Sequence, residues 1–458
     1  MGLSSVVTDQ EPSWPKLPLP WATEDLVRGP RRWWDGRLDV EGLAVASVAA
    51  AASAANSLAA ARGSSWRSFV ASGLVGASFG SIGRLRVEGE PVAAWGELSG
   101  FFRTRDGWIR LHGNYPHHAR IIRAELRAAD RAGVAAAIQE REAVELEQSI
   151  RAAGGIAGAL RTPEVWRRHP HHGAAIADRP LVTLDAPTGA GRPLGTSTSL
   201  PLHGFRVLDL TRVIAGPTAA RFLGALGADV LHLDDPARPE LLDQHLDTGF
   251  AKRTALLDLT GEEELRIARQ LAATADVILT GYRPGALARF GLDRRTLLAE
   301  HPHLVVVELS AWGDIGPWGR ERGFDSIVQS VSGIATTCAG SDSGPGALPV
   351  QALDHATGYL IATAAMRLLA RRPQEGGASA RLALARTADW LLQHPATDIS
   401  AAAGFDGPEC PLWLASAASP YGDLEYVRPP LFADDVPLDF PSTPRRYGQD
   451  PPEWWTAD

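Results

Sequence analysis

The chain has 458 residues, 45% of them apolar, which is enough for two or three domains with buried cores. Its formal net charge of −8 argues against a nucleic-acid partner held by phosphate contacts. The two cysteines, Cys338 and Cys410, give no disulfide framework, so a reducing compartment and a cytoplasmic location are expected.

Residues 1–30 are rich in Pro and Trp and lack the basic start and apolar run of a signal peptide. The stretch Ala44 to Ala61 is long and apolar but mostly alanine. That composition predicts a helix packed backbone-close inside the protein rather than a membrane span. From Ser78 to His118 short apolar runs alternate with turn signals such as Glu88-Gly89-Glu90 and Arg105-Asp106-Gly107, predicting an antiparallel meander. Ala119 to Ala159 reads as helical. Thr162-Pro163-Glu164 is a helix start, with a capping hydroxyl, a proline in the first turn and an acid behind it. Residues 183–200, rich in Gly, Pro, Ser and Thr, are expected to form a linker.

Beyond it the pattern becomes strand–helix. FRVLDL, starting at Phe205, is an apolar run with the character of a strand buried on both faces. TAARFLGALGA has helical spacing, with Pro217 suited to its first turn and Gly227 to its end, and DVLHLD resumes the strand pattern. A right-handed βαβ unit follows from this order. Ala215 and Gly216 leave the backbone open where the helix begins, a place suited to a phosphate or carboxylate. The fingerprint GxGxxG is absent, which argues against an NAD site. Further strands are predicted at Thr254–Leu259, Asp276–Thr280 and Leu304–Ser310, helices at Glu262–Ala273, Arg294–Glu300 and Asp354–Leu369, and a loop at GFDSIVQSVSGIA. The fold class is therefore α/β, a doubly wound Rossmann-like parallel sheet with a second, smaller α+β domain. The division is 1–30 irregular, 31–182 small-domain-like, 183–200 linker, 201–406 the parallel domain and 407–458 a Pro/Trp-rich tail. The stretch DVEGLAVASVAAAASAANSLAAARG near the start weakly echoes DHATGYLIATAAMRLLARR, with Asp39 set against Asp354. The histidines His112, His117 and His118, and His169, His171 and His172, have no Cys or acidic partners at ligand spacing, so no metal site is expected.

VLDLTRVIAGPTAARFLGALGADVLHLD resembles the opening of the class III coenzyme A transferases, whose relatives include α-methylacyl-CoA racemases. The likeness continues in order through AKRTALLDL, ADVILTGYRPGALARFGLD, HLVVVELSAWGDIGPWGRERGFDSIVQSVSGIA and ALDHATGYLIATAAMRLLARR. The resemblance implies transfer of coenzyme A from an acyl-CoA to a small carboxylic acid, with CoA a substrate and no permanently bound cofactor. It makes Asp354 the nucleophile. It places CoA contacts at Val213, Ile214, Ala215, Arg238, Ala251, Lys252, Arg289 and Arg322, and it implies a homodimer. An alternative is a CoA-binding or assembly subunit without activity. Racemisation is disfavoured, because Phe324 stands where the racemases carry a proton-shuttling histidine. The family's glycine-rich flap has as candidates here only Gly76, Gly80 and Gly83, in a small-domain-like half that precedes the sheet.

Overall fold

A computed structural model describes residue 19 and residues 21–31, 33–93, 95–197, 199–340, 344–396 and 410–455. Most of the Pro/Trp-rich amino-terminal segment and the first residues of the tail lie outside them. The long alanine-rich stretch is helix α1, Val40–Ala61, and it is buried along most of its length. It meets the length and hydropathy of a membrane span, yet here it packs inside the protein.

Seven strands form the main sheet: β1 Val182–Leu184, β2 Arg206–Leu210, β3 Asp229–Asp234, β4 Arg253–Leu256, β5 Val277–Thr280, β6 Val305–Ser310 and β7 Ala378–Ala383. Their order is β4-β3-β2-β5-β6-β7-β1. All neighbouring pairs are parallel except β1 with β7. The order reverses between β2 and β5, the topological switch point where doubly wound sheets receive ligands beyond the carboxyl ends of their strands. Residues of β2, such as Val207 and Leu208, are sealed on both faces, as the continuous apolar run required. Edge strand β1 takes in Thr183 and Leu184, so the stretch expected as a linker begins as a paired strand that covers the β7 edge.

Helix α2, Ala215–Ala225, follows β2, and Gly227 lies just past its end at φ +100°, the left-handed cap position. Where the sequence suggested a loop at GFDSIVQSVSGIA there is helix α3, Asp325–Ser332, closed by Gly333 at φ +96°. Ile327, Val328 and Val331 sit at helical spacing and are all buried, and that periodicity prevails over the glycines at the ends. Helix α4 runs from Ala352 to Glu375, beginning two residues earlier and ending six later than predicted.

The predicted meander is divided between two sheets. Gly100–Arg103 and Trp108–Leu111 pair with Ala157–Ala159 and are covered by helices Pro116–Leu126, Arg131–Gln139 and Ala143–Ala152 around a separate apolar core. Arg86–Val87 and Glu90–Pro91 pair instead with the tail strands Leu414–Ser419 and Gly422–Val427. A hairpin of such short strands cannot bury a face alone, and the tail supplies the missing partners. Gly76, Gly80 and Gly83 lie in or between the short helices Ser72–Phe79 and Ser81–Arg84, so they do not form a glycine-rich loop.

Helices α1 and α4 pack against each other and begin alike. The residue before α1, Asp39, has φ −77° and ψ 66°, and the residue before α4, Gln351, has φ −75° and ψ 65°. Counted from these caps, Gly42 stands where α4 has Asp354. Asp39 is a cap: its Oδ1 accepts the Gly42 N–H at 2.8 Å and pairs with Arg31 at 2.6 Å.

Candidate active site

The β2–α2 turn at the switch point is strained. Val213 has φ +70°, a conformation costly for a β-branched residue. Its N–H donates to Glu240 Oε2 at 2.9 Å, and Glu240 also accepts the Tyr115 hydroxyl. Ile214 and Ala215 are buried at the start of α2. Gly358 of α4 passes directly over this turn, since a Cβ there would lie 2.5 Å from the Ala215 carbonyl oxygen. The absence of a side chain at 358 thus locks the Asp354 helix to the switch point.

Cations gather above the turn. Arg322 donates to the Gly154 carbonyl oxygen at 3.0 Å and is half-buried. Burial, then Arg283 and Arg238, hold its guanidinium below the usual range. His117 is likewise lowered by burial and then by Arg238, Arg212, Arg322 and Arg120. A group of like charges that depress one another this way is suited to an anion of several charges. Of these, Arg238 and Arg322 were nominated from the sequence and Arg283 was not. Its signal was available, for TGYRPG follows β5, the other strand of the switch point.

Lys252 does not face this space. Its Nζ donates to Asp209 Oδ2 at 3.1 Å in the interior, where His232 Nδ1 also approaches Asp209 at 3.3 Å. Burial alone would raise the Asp209 carboxyl, but Lys252 and His232 outweigh it and hold it well below the usual range. Burial disfavours charge on His232, yet Asp209 and Asp234 overcome it and push the imidazole up to about 9. Lys252 therefore fixes β4 to β2 from within. Ala251 precedes it at φ +58°, its N–H donating to the Ser442 carbonyl oxygen of the tail. Arg289 lies over the Phe290 ring at 4.5 Å.

Asp354 is in the first turn of α4, and 6% of its surface is accessible. The carboxyl that the resemblance makes the nucleophile is thus buried. The cause is α3, whose first residue, Asp325, accepts the Asp354 N–H at Oδ2, 3.0 Å, and also a side-chain donor from Gln329. Burial pushes the Asp325 carboxyl up to about 6, against the lowering by Gln329 and by the backbone N–H groups of Asp354 and Leu353. Burial and then repulsion from Asp325 push Asp354 well above the usual carboxylate range. Both carboxyls of the pair thus resist ionisation, Asp325 through burial and Asp354 through burial and then its acidic neighbour. Sequence reasoning missed Asp325 because GFD was assigned to a loop.

A cavity of about 310 Å³ opens at the carboxyl ends of β5, β6 and β7. Tyr282, Arg283, Arg294, Glu308, Arg320 and Arg381 line it, and none of the sequence-nominated residues does.

A sequence profile of CoA-transferase family III matches residues 202–411. The match takes in somewhat less than half of the chain. Its relatives include the probable fatty acyl-CoA transferase Rv3272 of Mycobacterium tuberculosis, 34% identical over 189 residues that make up 38% of this chain and 48% of that protein. The succinyl-CoA:glutarate CoA-transferase of Mus musculus is 32% identical over 199 residues, 41% of this chain and 46% of that protein. A crystal structure of the Mycobacterium tuberculosis protein aligns with a TM-score of 0.41 at 33% identity, covering 43% of this chain and 57% of the other. The chain thus spans about half the length of the curated relatives it matches. The matched segment contains the switch point, the cations Arg238, Arg283 and Arg322, and the Asp325–Asp354 pair.

Proposed function

We propose that the protein moves coenzyme A from an acyl-CoA to a small carboxylic acid, with Asp354 as the nucleophile. The observation that carries this is the placement of Asp354 at the start of α4, in a family III segment, on the helix that Gly358 ties to the switch-point turn. Ionised Asp354 attacks the thioester carbonyl. The carbon–sulfur bond breaks, leaving an aspartyl anhydride and CoA thiolate. The thiolate then attacks the aspartyl carbonyl, the acyl group departs as a carboxylate, and an aspartyl-CoA thioester remains. The acceptor carboxylate reverses the sequence, leaving as its own CoA thioester and restoring Asp354. The N–H groups at the start of α4 stabilise the charge that develops on the aspartyl carbonyl oxygen. Arg238, Arg283 and Arg322 take the CoA phosphates, with Val213, Ile214 and Ala215 forming the floor of the crevice. In this reading residues 201–406 form the CoA-binding unit, residues 31–182 the smaller one, and the protein works as a cytoplasmic homodimer.

Burial and then Asp325 hold the Asp354 carboxyl above its usual range, so attack by its ionised form speeds up as pH rises through its titration. Racemisation is not favoured, since Phe324 cannot exchange a proton. A second reading, a CoA-binding subunit without activity, is favoured by one observation, the burial of Asp354. Incubation with a panel of acyl-CoA esters and hydroxylamine separates the two. Transfer predicts an aspartyl hydroxamate that Asp354→Ala abolishes while CoA binding persists. CoA binding with no hydroxamate from any ester would establish the second reading.

A further inference from the structure

Outside the residues assigned above, the small unit carries three polar side chains with unsatisfied buried atoms, two of them beside Phe324 and the third, Arg110, acting on one of these. Arg110 belongs to strand Trp108–Leu111, His112 follows that strand directly, and His118 is in helix Pro116–Leu126. The His112 ring stacks on Phe324 with centroids 4.0 Å apart and planes at 14°, and the His118 ring lies 6.0 Å from Phe324 on another side. His112 and His118 are 4% and 5% exposed. Nδ1 of each, and Nε of Arg110, are buried without a hydrogen-bond partner. Buried polar atoms are rarely left so; with both histidines beside Phe324 and Arg110 acting on His112, the group calls for a ligand that accepts hydrogen bonds.

The chemistry of the three groups narrows that ligand. Arg110 forms no ion pair among the described residues. It lies over the rings of Phe101 at 4.7 Å and Trp95 at 5.2 Å, which fix its position and leave its donors available. The carboxylate that acts on it, Asp325, is already engaged by Gln329 and by the Asp354 N–H. Burial, and for His112 then Arg110, hold both imidazoles down at about 3, so each is neutral, and in the tautomer protonated at Nδ1 its unpartnered nitrogen donates. One guanidinium and two neutral N–H donors, walled by Phe324 and Trp95, match a carboxylate. Trp95 is 47% exposed and marks the solvent side of the group.

We propose that Arg110, His112 and His118 form the seat for the carboxylate of the acid substrate, next to Phe324 and Asp325. The assignment of this anion as the acceptor acid rests on the transfer reading above, while its binding does not. Asp325 acts on Arg110 and accepts the Asp354 N–H, which links the seat to the nucleophile; an acid held there comes from the small unit, and CoA from the switch point.

The test is calorimetric titration of the full-length protein with sodium propionate and sodium succinate, against sodium chloride of equal ionic strength. The wild type binds at least one of the two acids saturably. Arg110→Gln weakens that binding about tenfold or more, as loss of a charge-assisted bond implies, and Arg110→Lys recovers part of it. His112→Phe, which keeps the stack on Phe324 and removes the donor, weakens it as well. CoA binding, measured in parallel, is unchanged in all three variants and shows that each is folded. No saturable binding of either acid by the wild type would mean that only water fills the seat, and would overturn the proposal. Equal affinity in the wild type and Arg110→Gln would overturn it too. Hydroxylamine trapping needs no acceptor acid and keeps the two readings apart. Arg110-dependent acid binding without trapping would remove the transfer reading alone. Trapping with acid binding indifferent to Arg110 would remove the seat alone.

Discussion

Replacing Asp354 by asparagine should stabilise the protein while abolishing covalent chemistry. In the fold, Asp325 and Asp354 are buried side by side, and the Asp325 carboxyl is pushed from 3.8 to about 6. That displacement corresponds to roughly 3 kcal/mol. Asp354 is raised as well, by burial and then by Asp325, and adds a cost of the same sign once the unfolded chain ionises. The sign follows from proton counting. Above the ordinary carboxylate range the unfolded chain has released protons that the folded pair still holds, so these two groups make stability fall as pH rises. The Asp354→Asn change would preserve size and shape, remove one ionisable group and relieve its repulsion of Asp325. Urea unfolding followed by tryptophan fluorescence should show D354N more stable than the wild type by about 2–3 kcal/mol at pH 8, with the difference shrinking toward zero near pH 4. A variant no more stable than the wild type at pH 8, or an advantage that grows on acidification, would refute the buried-pair argument.

Lys252→Met leaves Asp209 buried without its ammonium partner and should destabilise the protein by about 3–5 kcal/mol in the same urea assay, with Asp209→Asn in that background recovering part of the loss. His232 titrates at about 9 in the fold against an ordinary 6.5, so its contribution is full below about pH 6.5 and is lost as pH rises through 9. Between those limits it amounts to roughly 3 kcal/mol, and His232→Gln should flatten that alkaline loss of stability. Arg322→Gln should weaken CoA binding by about tenfold, and Arg238→Gln similarly, with binding of dephosphorylated pantetheine unaffected. Equal losses for pantetheine would mean that these guanidiniums do not hold phosphate.

Legibility in the sequence followed the range of the interactions. The βαβ unit at Phe205 to Asp234 could be read because its information is local: a continuous apolar run, a helical period, a proline at one end and a glycine at the other. Asp354 could be singled out because the family pattern places an acid at that helix start. Its burial could not, since that depends on Asp325, whose helix was hidden by the glycines around GFD. The resemblance made Lys252 a CoA contact, yet β2 offers Asp209 at contact distance and the buried pair forms instead. Arg110 and His112 looked like strand residues of a meander. Only the packing of that hairpin on α3, more than two hundred residues along the chain, brings His112 onto Phe324. The tail gave no sign of its role, because the strands it pairs with are too short to announce a missing neighbour.

The most direct measurement is peptide mass spectrometry of the full-length protein after exposure to acyl-CoA and hydroxylamine near pH 8. The account predicts a hydroxamate on the peptide containing Asp354 and on no other acidic peptide, absent from D354N. A hydroxamate on Asp325 or elsewhere, or an unmodified Asp354 peptide from protein that has bound CoA, would contradict it.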